Sequence, residues 1–199
     1  MLTLAIQAGG ESRRMGQDKA LLHLLGKPLV ARVLSSLSIL ADEILVTTNR
    51  PEDFRFLDVP LYTDKYPGTG ALGGLYTALE AAGQPLVAVV ACDMPFASAD
   101  LLIFARDRLL TSGADVAIPR SEEGFEPFHA VYRRGTCLPA VKKALEAGER
   151  RLISWFPDVT VSPILPEEWL PYDPDLLAFW NLNTPDDFQQ AEQWIASRE

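Results

Sequence analysis

Two places in the chain gather residue types that act on phosphate. One is Ala8-Gly9-Gly10-Glu11-Ser12-Arg13-Arg14-Met15-Gly16-Gln17-Asp18-Lys19, where three cations fall within seven residues. Glycines let backbone approach a ligand and turn N–H groups toward an anion, while Arg13, Arg14 and Lys19 can neutralise phosphate oxygens. The other is Asp93, which closes the apolar run Leu86-Val-Ala-Val-Val-Ala-Cys92. A carboxylate there is costly unless a metal, hydrogen bonds or water compensate it. Mg2+ usually takes one or two protein carboxylates and leaves its other positions to water and phosphate oxygens. A single Asp beside a cationic glycine loop is therefore sufficient equipment for handling a nucleoside triphosphate. The plainer reading makes residues 8–19 a strand-exit turn with a solvated basic face, and Asp93 a cap or turn former before Met94-Pro95. A Walker loop is excluded, because five residues rather than four separate Gly10 from Gly16 and no Lys-Ser or Lys-Thr follows.

The elements that would hold these residues follow a repeating order. Leu2 to Ala8 reads as a strand, Pro28 to Ala41 as a helix with apolar Leu29, Val33, Leu37 and Leu40, and Glu43 to Thr48 as a second strand. Helix is expected at 71–82, then strand at 85–92, helix at 98–112 and strand at 115–119. The 85–92 run is nearly apolar throughout, as a central parallel strand covered on both faces must be. This alternation implies right-handed crossovers and a three-layer α/β/α arrangement with a mostly parallel sheet, whose ligands sit beyond the carboxyl ends of the strands. Further on, 126–133 reads as strand, 137–147 as helix and 186–197 as a closing helix behind Thr184-Pro185. Between Pro157 and Pro174, five of 18 residues are proline, so that stretch is expected to be an irregular surface wrap.

Composition narrows the partners. The 199 residues suit one domain spanning 1–199, and 48% hydrophobic with 23% charged residues is ordinary for a globular chain. A net charge of -9 argues against nucleic acid and against anionic membrane as partners. The N-terminus carries no cationic leader, and no apolar run approaches the length of a membrane span. A cytoplasmic protein is expected, with Cys92 at least a reduced, buried thiol.

From Ala8 the first segment continues as Ala20-Leu21-Leu22-His23-Leu24-Leu25-Gly26-Lys27-Pro28-Leu29. The whole block resembles the signature of sugar-nucleotide and cofactor nucleotidyltransferases, and among them the molybdenum cofactor guanylyltransferase family. Similarity continues at Cys92-Asp93-Met94-Pro95-Phe96, Gly148-Glu149-Arg150-Arg151 and Asn181-Leu182-Asn183-Thr184-Pro185. The resemblance implies a Rossmann-like nucleotidyltransferase fold, GTP and molybdenum-bound molybdopterin as substrates, Mg2+ as the metal, and molybdenum enzymes or their chaperones as partners. It assigns Lys19, Arg14 and Asp93 to catalysis, Asp93 to the metal, and Gln7, Ala8, Gly9, Gly10, Lys19, Asp64 and Asp93 to the nucleotide. Thr47, Thr48 and Asn49 are three candidates for a further contact to base or ribose. Two departures stand out. Gln7 occupies a position where the family commonly has Leu, and Pro67-Gly68-Thr69-Gly70-Ala71-Leu72-Gly73-Gly74 carries an inserted residue and extra glycines. The alternatives are a cytidylyltransferase for the same cofactor, a sugar-phosphate nucleotidyltransferase, and a nucleotide-binding partner of molybdenum enzymes without turnover.

Other features are weighed against these. Gly68-x-Gly70-x-x-Gly73 with Asp93 twenty residues on satisfies a dinucleotide fingerprint, but Asp64-Lys65-Tyr66-Pro67 is no strand running into the first glycine. Asp64 itself could be a simple turn residue. His129 alternates with apolar neighbours and, lacking a Cys or His cluster, reads as a satisfied strand residue. Arg150 and Arg151 could grip a phosphate or cap a helix end. Trp155, Trp169, Trp180 and Trp194 have no regular spacing and read as packing of the C-terminal part, with stacking of a pterin on Trp155 or Trp169 as the alternative.

Overall fold

The computed structural model describes residues 1–9 and 18–198. Its elements, in chain order, are β1 (Leu2–Gln7), β2 (His23–Leu24), β3 (Lys27–Pro28), α1 (Leu29–Leu37), β4 (Glu43–Thr47), β5 (Leu61–Tyr62), α2 (Ala71–Ala81), β6 (Leu86–Ala91) and α3 (Ala99–Ser112). There follow β7 (Val116–Ser121), β8 (Gly124–Phe125), β9 (His129–Arg133), α4 (Arg134–Glu146), β10 (Val161–Ile164), α5 (Pro166–Trp169) and α6 (Pro185–Ala196). The large sheet runs β10-β7-β9-β6-β1-β4-β5, with β8 paired to β7. Strands β6, β1, β4 and β5 are mutually parallel, and β9 runs antiparallel to β6 and β7.

Period-2 alternation divides the core between the two faces. Leu2, Leu4 and Ile6 of β1, with Leu86, Ala88 and Val90 of β6, pack against α1 and α3 on one side. On the other, Ala5, Leu45, Val87 and Val89 meet α2 and α4. Both β1 and β6 are buried along their whole length, which is why they read as continuous apolar runs. The expected three-layer architecture is present. A smaller cluster of Leu24, Leu29, Leu182 and Ala191 fastens α6 to the β2–β3 hairpin.

One expectation is corrected, and one alternative falls. The proline-rich stretch is not merely a wrap: Val161–Ile164 adds a parallel strand beside β7, with Pro163 opposite Ile118. Proline is tolerable there because β10 is the sheet's edge, where an N–H would have no strand to meet. Trp155 and Trp169 are buried, their indole N–H groups donating to Leu152 O and Arg120 O, so neither offers a face to a pterin. Cys92 and Cys137 are free and buried, as expected.

His129 is a buried strand residue with one of its two nitrogens satisfied: Nε2 has a partner, and Nδ1 has none among the described residues. Fully buried in β9, it accepts the backbone N–H of Ser98 on Nε2 at 2.9 Å, at the start of α3. Burial lowers its pKa from 6.5 to about 4. A proton would have to enter on the nitrogen that is already the acceptor. Because the unfolded chain binds that proton first, stability should be fully present above about pH 6.5 and fall as pH drops toward 4, by about 3 kcal/mol. Thermal unfolding across this window checks it. In His129→Gln, which keeps an acceptor but cannot be charged, this part of the pH slope should be missing.

Candidate active site

The carboxyl ends of β1, β4, β5 and β6 open into a cleft of about 590 Å3. Gln7, Ala8, Gly9, Lys19, Asp64 and Asp93 all line it, so these sequence-selected residues converge on one hollow. Gly10, Arg13 and Arg14 lie outside the described residues. Arg150 and Arg151 are exposed and do not line the cleft.

At the β6 end, Lys19 Nζ donates to Asp93 Oδ2 at 2.7 Å. The side chains are 15% and 19% exposed, so solvent screens the pair incompletely. Asp93 is therefore more than a turn former before Met94-Pro95: its carboxylate holds a cation across 74 positions of sequence. Its backbone carbonyl accepts Leu182 N–H at 3.0 Å, and Lys19 also donates to Asn183 Oδ1. The segment entering α6 thus closes this end, its own turn fixed by a capping box between Thr184 and Asp187.

Lys19 is positioned by a short turn that sequence reading passed over. Residues Lys19–Leu21 form a 3-10 turn whose cap, Asp18, accepts Ala20 N–H at 3.0 Å. The other carboxylate oxygen of Asp18 accepts from Arg50, at the exit of β4. Arg50 carries no motif, and only the return of β4 to the sheet edge brings it to Asp18.

At the β4–β5 end, the neighbour of Arg50 does a matching task. Asn49 Nδ2 donates to Asp64 Oδ2 at 2.9 Å, and Asn49 Oδ1 accepts Asp64 N–H. Burial raises the Asp64 pKa, with the Asn49 hydrogen bond opposing the shift. Asp64 Oδ1 is buried and has no partner among the described residues, as are Gln7 Nε2 and Thr47 Oγ1. An unsatisfied buried polar group costs about 1–3 kcal/mol, so three on residues of one cleft mark a surface shaped for something the other described residues do not supply. The three candidates at the end of β4 now separate: Thr47 and Asn49 line the cleft, whereas Thr48 accepts Arg50 N–H in a turn.

The floor under this end is nearly bare of side chains. Gly68, Gly70, Ala71 and Gly74 line it, and α2 begins at Gly70, whose φ of 63° favours glycine. Strand β5 ends at Tyr62, and bends and turns intervene before Gly68, so no strand runs into the first glycine of the dinucleotide-like pattern. Among the described residues no cluster of three or more His, Cys, Asp or Glu could hold a metal alone.

Parallel strands opening on a cleft with Asp93 paired to a lysine at one end and a glycine-lined floor at the other give the architecture of a nucleotide-handling α/β protein. The sequence profile of the MobA-like NTP transferase domain matches residues 4–160, and the chain belongs to this family of nucleotidyltransferases. A protein of Carboxydothermus hydrogenoformans named "Probable molybdenum cofactor guanylyltransferase" is 36% identical over 199 residues, covering 100% of this chain and 98% of that one. The molybdenum cofactor guanylyltransferase of Desulfosudis oleivorans is 32% identical over 98% of this chain and 96% of its own. The crystal structure of molybdopterin-guanine dinucleotide biosynthesis protein A from Archaeoglobus fulgidus superposes with a TM-score of 0.85 at 27% identity, covering 99% of this chain and 100% of that one.

Gly73 offers a steric test of the slot. A Cβ there would lie 2.0 Å from Thr69 Oγ1 and 2.9 Å from the backbone oxygen of Tyr66. Gly73→Ala should therefore destabilise the chain by about 1–3 kcal/mol despite alanine's better helix propensity, as chemical denaturation can measure.

Proposed function

We propose that the chain transfers GMP from GTP to the terminal phosphate of molybdenum-bound molybdopterin and releases pyrophosphate. The carrying observation is the Lys19–Asp93 pair beside a glycine-walled slot, in a family member whose full-length relatives bear that activity in their names. The reading orients the nucleotide along the sheet edge. From β6 through β1 and β4 to β5 is three strand spacings, roughly 14 Å. Phosphates would lie by Lys19 and Asp93, and the base by Thr47, Asn49 and Asp64.

Bond making is simple. An oxygen of the acceptor phosphate attacks the α-phosphorus, the bond from that phosphorus to the bridging oxygen breaks, and pyrophosphate leaves. The attacking group is already an anion, so no general base is required, and the protein's contribution is alignment and charge neutralisation. Lys19 would release Asp93 and follow charge on the α-phosphate and the departing pyrophosphate. Backbone N–H groups of Gly9 and Gly10 would cradle phosphate oxygens, with Arg13 or Arg14 assisting.

The donor set suits magnesium: Asp93 is a hard oxygen ligand on the cleft wall, and a single carboxylate leaves positions for phosphate oxygens and water. Bound there, Mg2+ would supply Lewis-acid neutralisation of phosphate charge. Asp18 is a poorer ligand, because its carboxylate is engaged by Arg50 and Ala20.

Pyrophosphate release should be measured with GTP, CTP, ATP and UTP in turn, each with Mg2+ and the molybdopterin acceptor. Release with GTP alone is expected. Release with CTP alone would replace guanylyl by cytidylyl transfer, and nucleotide binding without release would make the chain a non-catalytic partner. Lys19→Ala and Asp93→Ala should each slow turnover on the order of 10²- to 10³-fold with the fold intact, and wild-type turnover in either would remove that residue from the chemistry.

Arg50→Met tests positioning. It leaves Lys19 in place chemically but frees its turn, so kcat should fall roughly tenfold with KM for GTP nearly unchanged. Arg50→Lys should recover part of the loss. An equal fall in thermal stability and activity in both variants would make Arg50 merely structural.

A further inference from the structure

We propose that the side-chain carboxamide of Gln7, seconded by the Thr47 hydroxyl, donates to the keto oxygen O6 of the bound guanine and so sets base selectivity. The proposal deepens the reading of the cleft as a GTP site and rests on it. Gln7 and Thr47 are register partners at the carboxyl ends of β1 and β4. Their side chains share the sheet face covered by α2, since Ala5 and Leu45, two positions earlier in each strand, pack there. Gln7 is 9% exposed and Thr47 1%, and neither Gln7 Nε2 nor Thr47 Oγ1 has a partner among the described residues. Both residues line the cleft. They are two adjacent, desolvated donors on residues that line the cleft together with Gly9, Gly68, Gly70, Ala71 and Gly74, whose missing or small side chains leave room for a ring.

Asp64 fixes the polarity. A carboxamide can turn either end toward a ligand, but an ionised carboxylate only accepts. Asp64 Oδ1, also without a partner among the described residues, suits the N1–H and 2-amino donors of guanine. The complementary group on the same ring edge is then O6, which needs a donor, and Gln7 and Thr47 supply two. Adenine reverses both positions: its 6-amino group would face the donors and its bare N1 the carboxylate. The site therefore rejects it through unpaired buried groups rather than by size.

Gly74 leaves room for the Gln7 carboxamide, because a Cβ at that position would lie 2.6 Å from Gln7 Oε1. This contact gives a second, independent way to move the carboxamide.

Calorimetric titration of the full chain with Mg2+ and either GTP or 6-thioguanosine triphosphate tests the proposal. The analogue keeps every donor of guanine and replaces only O6 by sulfur, a weaker acceptor. Wild-type protein should bind it on the order of tenfold more weakly than GTP. In Gln7→Leu, GTP affinity should fall by a similar factor while affinity for the thio analogue stays within about threefold, so the two ligands converge. Gly74→Ala should weaken GTP binding when Gln7 is present and do so much less in the Gln7→Ala background. Gln7→Leu that weakens both nucleotides equally, or neither, overturns the role of Gln7 while leaving the GTP site standing. A wild-type chain that binds no nucleotide overturns the GTP site and the proposal together.

Discussion

A lysine and an aspartate that meet across the mouth of a parallel sheet impose most of what is particular about this molecule. Asp93 must leave β6 at a place where β6 is apolar and fully covered, and an uncompensated charge there is expensive. Lys19 compensates it, but only while three further contacts hold. Asp18 caps the turn beneath Lys19, Arg50 holds Asp18, and the segment before α6 ties down both partners through Leu182 and Asn183. The arrangement is a partly buried ion pair, a kind that contributes little net stability because desolvation offsets attraction. Its value is geometric. In the proposed chemistry a triphosphate would find the cation already at the sheet edge, and the fold would have met the ordering cost beforehand.

The two ends of the cleft are linked by adjacent residues. Asn49 and Arg50 follow β4, one reaching Asp64 and the other Asp18. A displacement of the β4 exit would therefore move the Asp64 end and the Lys19–Asp93 end together. Parallel pairing of β1 with both β4 and β6, in register along β1, makes that exit a rigid reference. The antiparallel β9, with α3 capped on it through His129, buttresses the far side of β6. Core and site are thus mechanically one object even where no side chain connects them.

How much of this was legible in the sequence depended on the range of the forces involved. The glycine loop, Asp93 and the strands around them were visible because each is a local pattern: a period, a run, a cluster of one charge. Strand β5, only two residues long, gave a weak signal before Asp64, whereas β10 contains a proline and lacks the alternation by which strands announce themselves. Arg50 was invisible because nothing near it in sequence says that Asp18 will stand opposite. Thr47 could not be separated from Thr48 and Asn49 because strand register, a long-range outcome, decides which side chain faces α2. The tryptophans failed as ligand platforms for the opposite reason: an aromatic residue is as well suited to a core as to a stacking surface, and packing decided.

Gln7 shows where such decisions leave a trace. A glutamine at the end of a buried strand is a poor choice for stability, since a leucine there would cover the same area without stranding an amide. Natural chains retain such defects mainly where a ligand removes them. Among the described residues, three of the five buried side-chain atoms without a partner, on Gln7, Thr47 and Asp64, belong to residues lining this one cleft; the others are on His129 and Ser154. Gly74 leaves room for the carboxamide where any side chain would collide with it. A stranded donor and the glycine that accommodates it lie 67 positions apart in sequence, on different elements, yet they make sense only as parts of one surface that is completed by a ring with its own donors and acceptors.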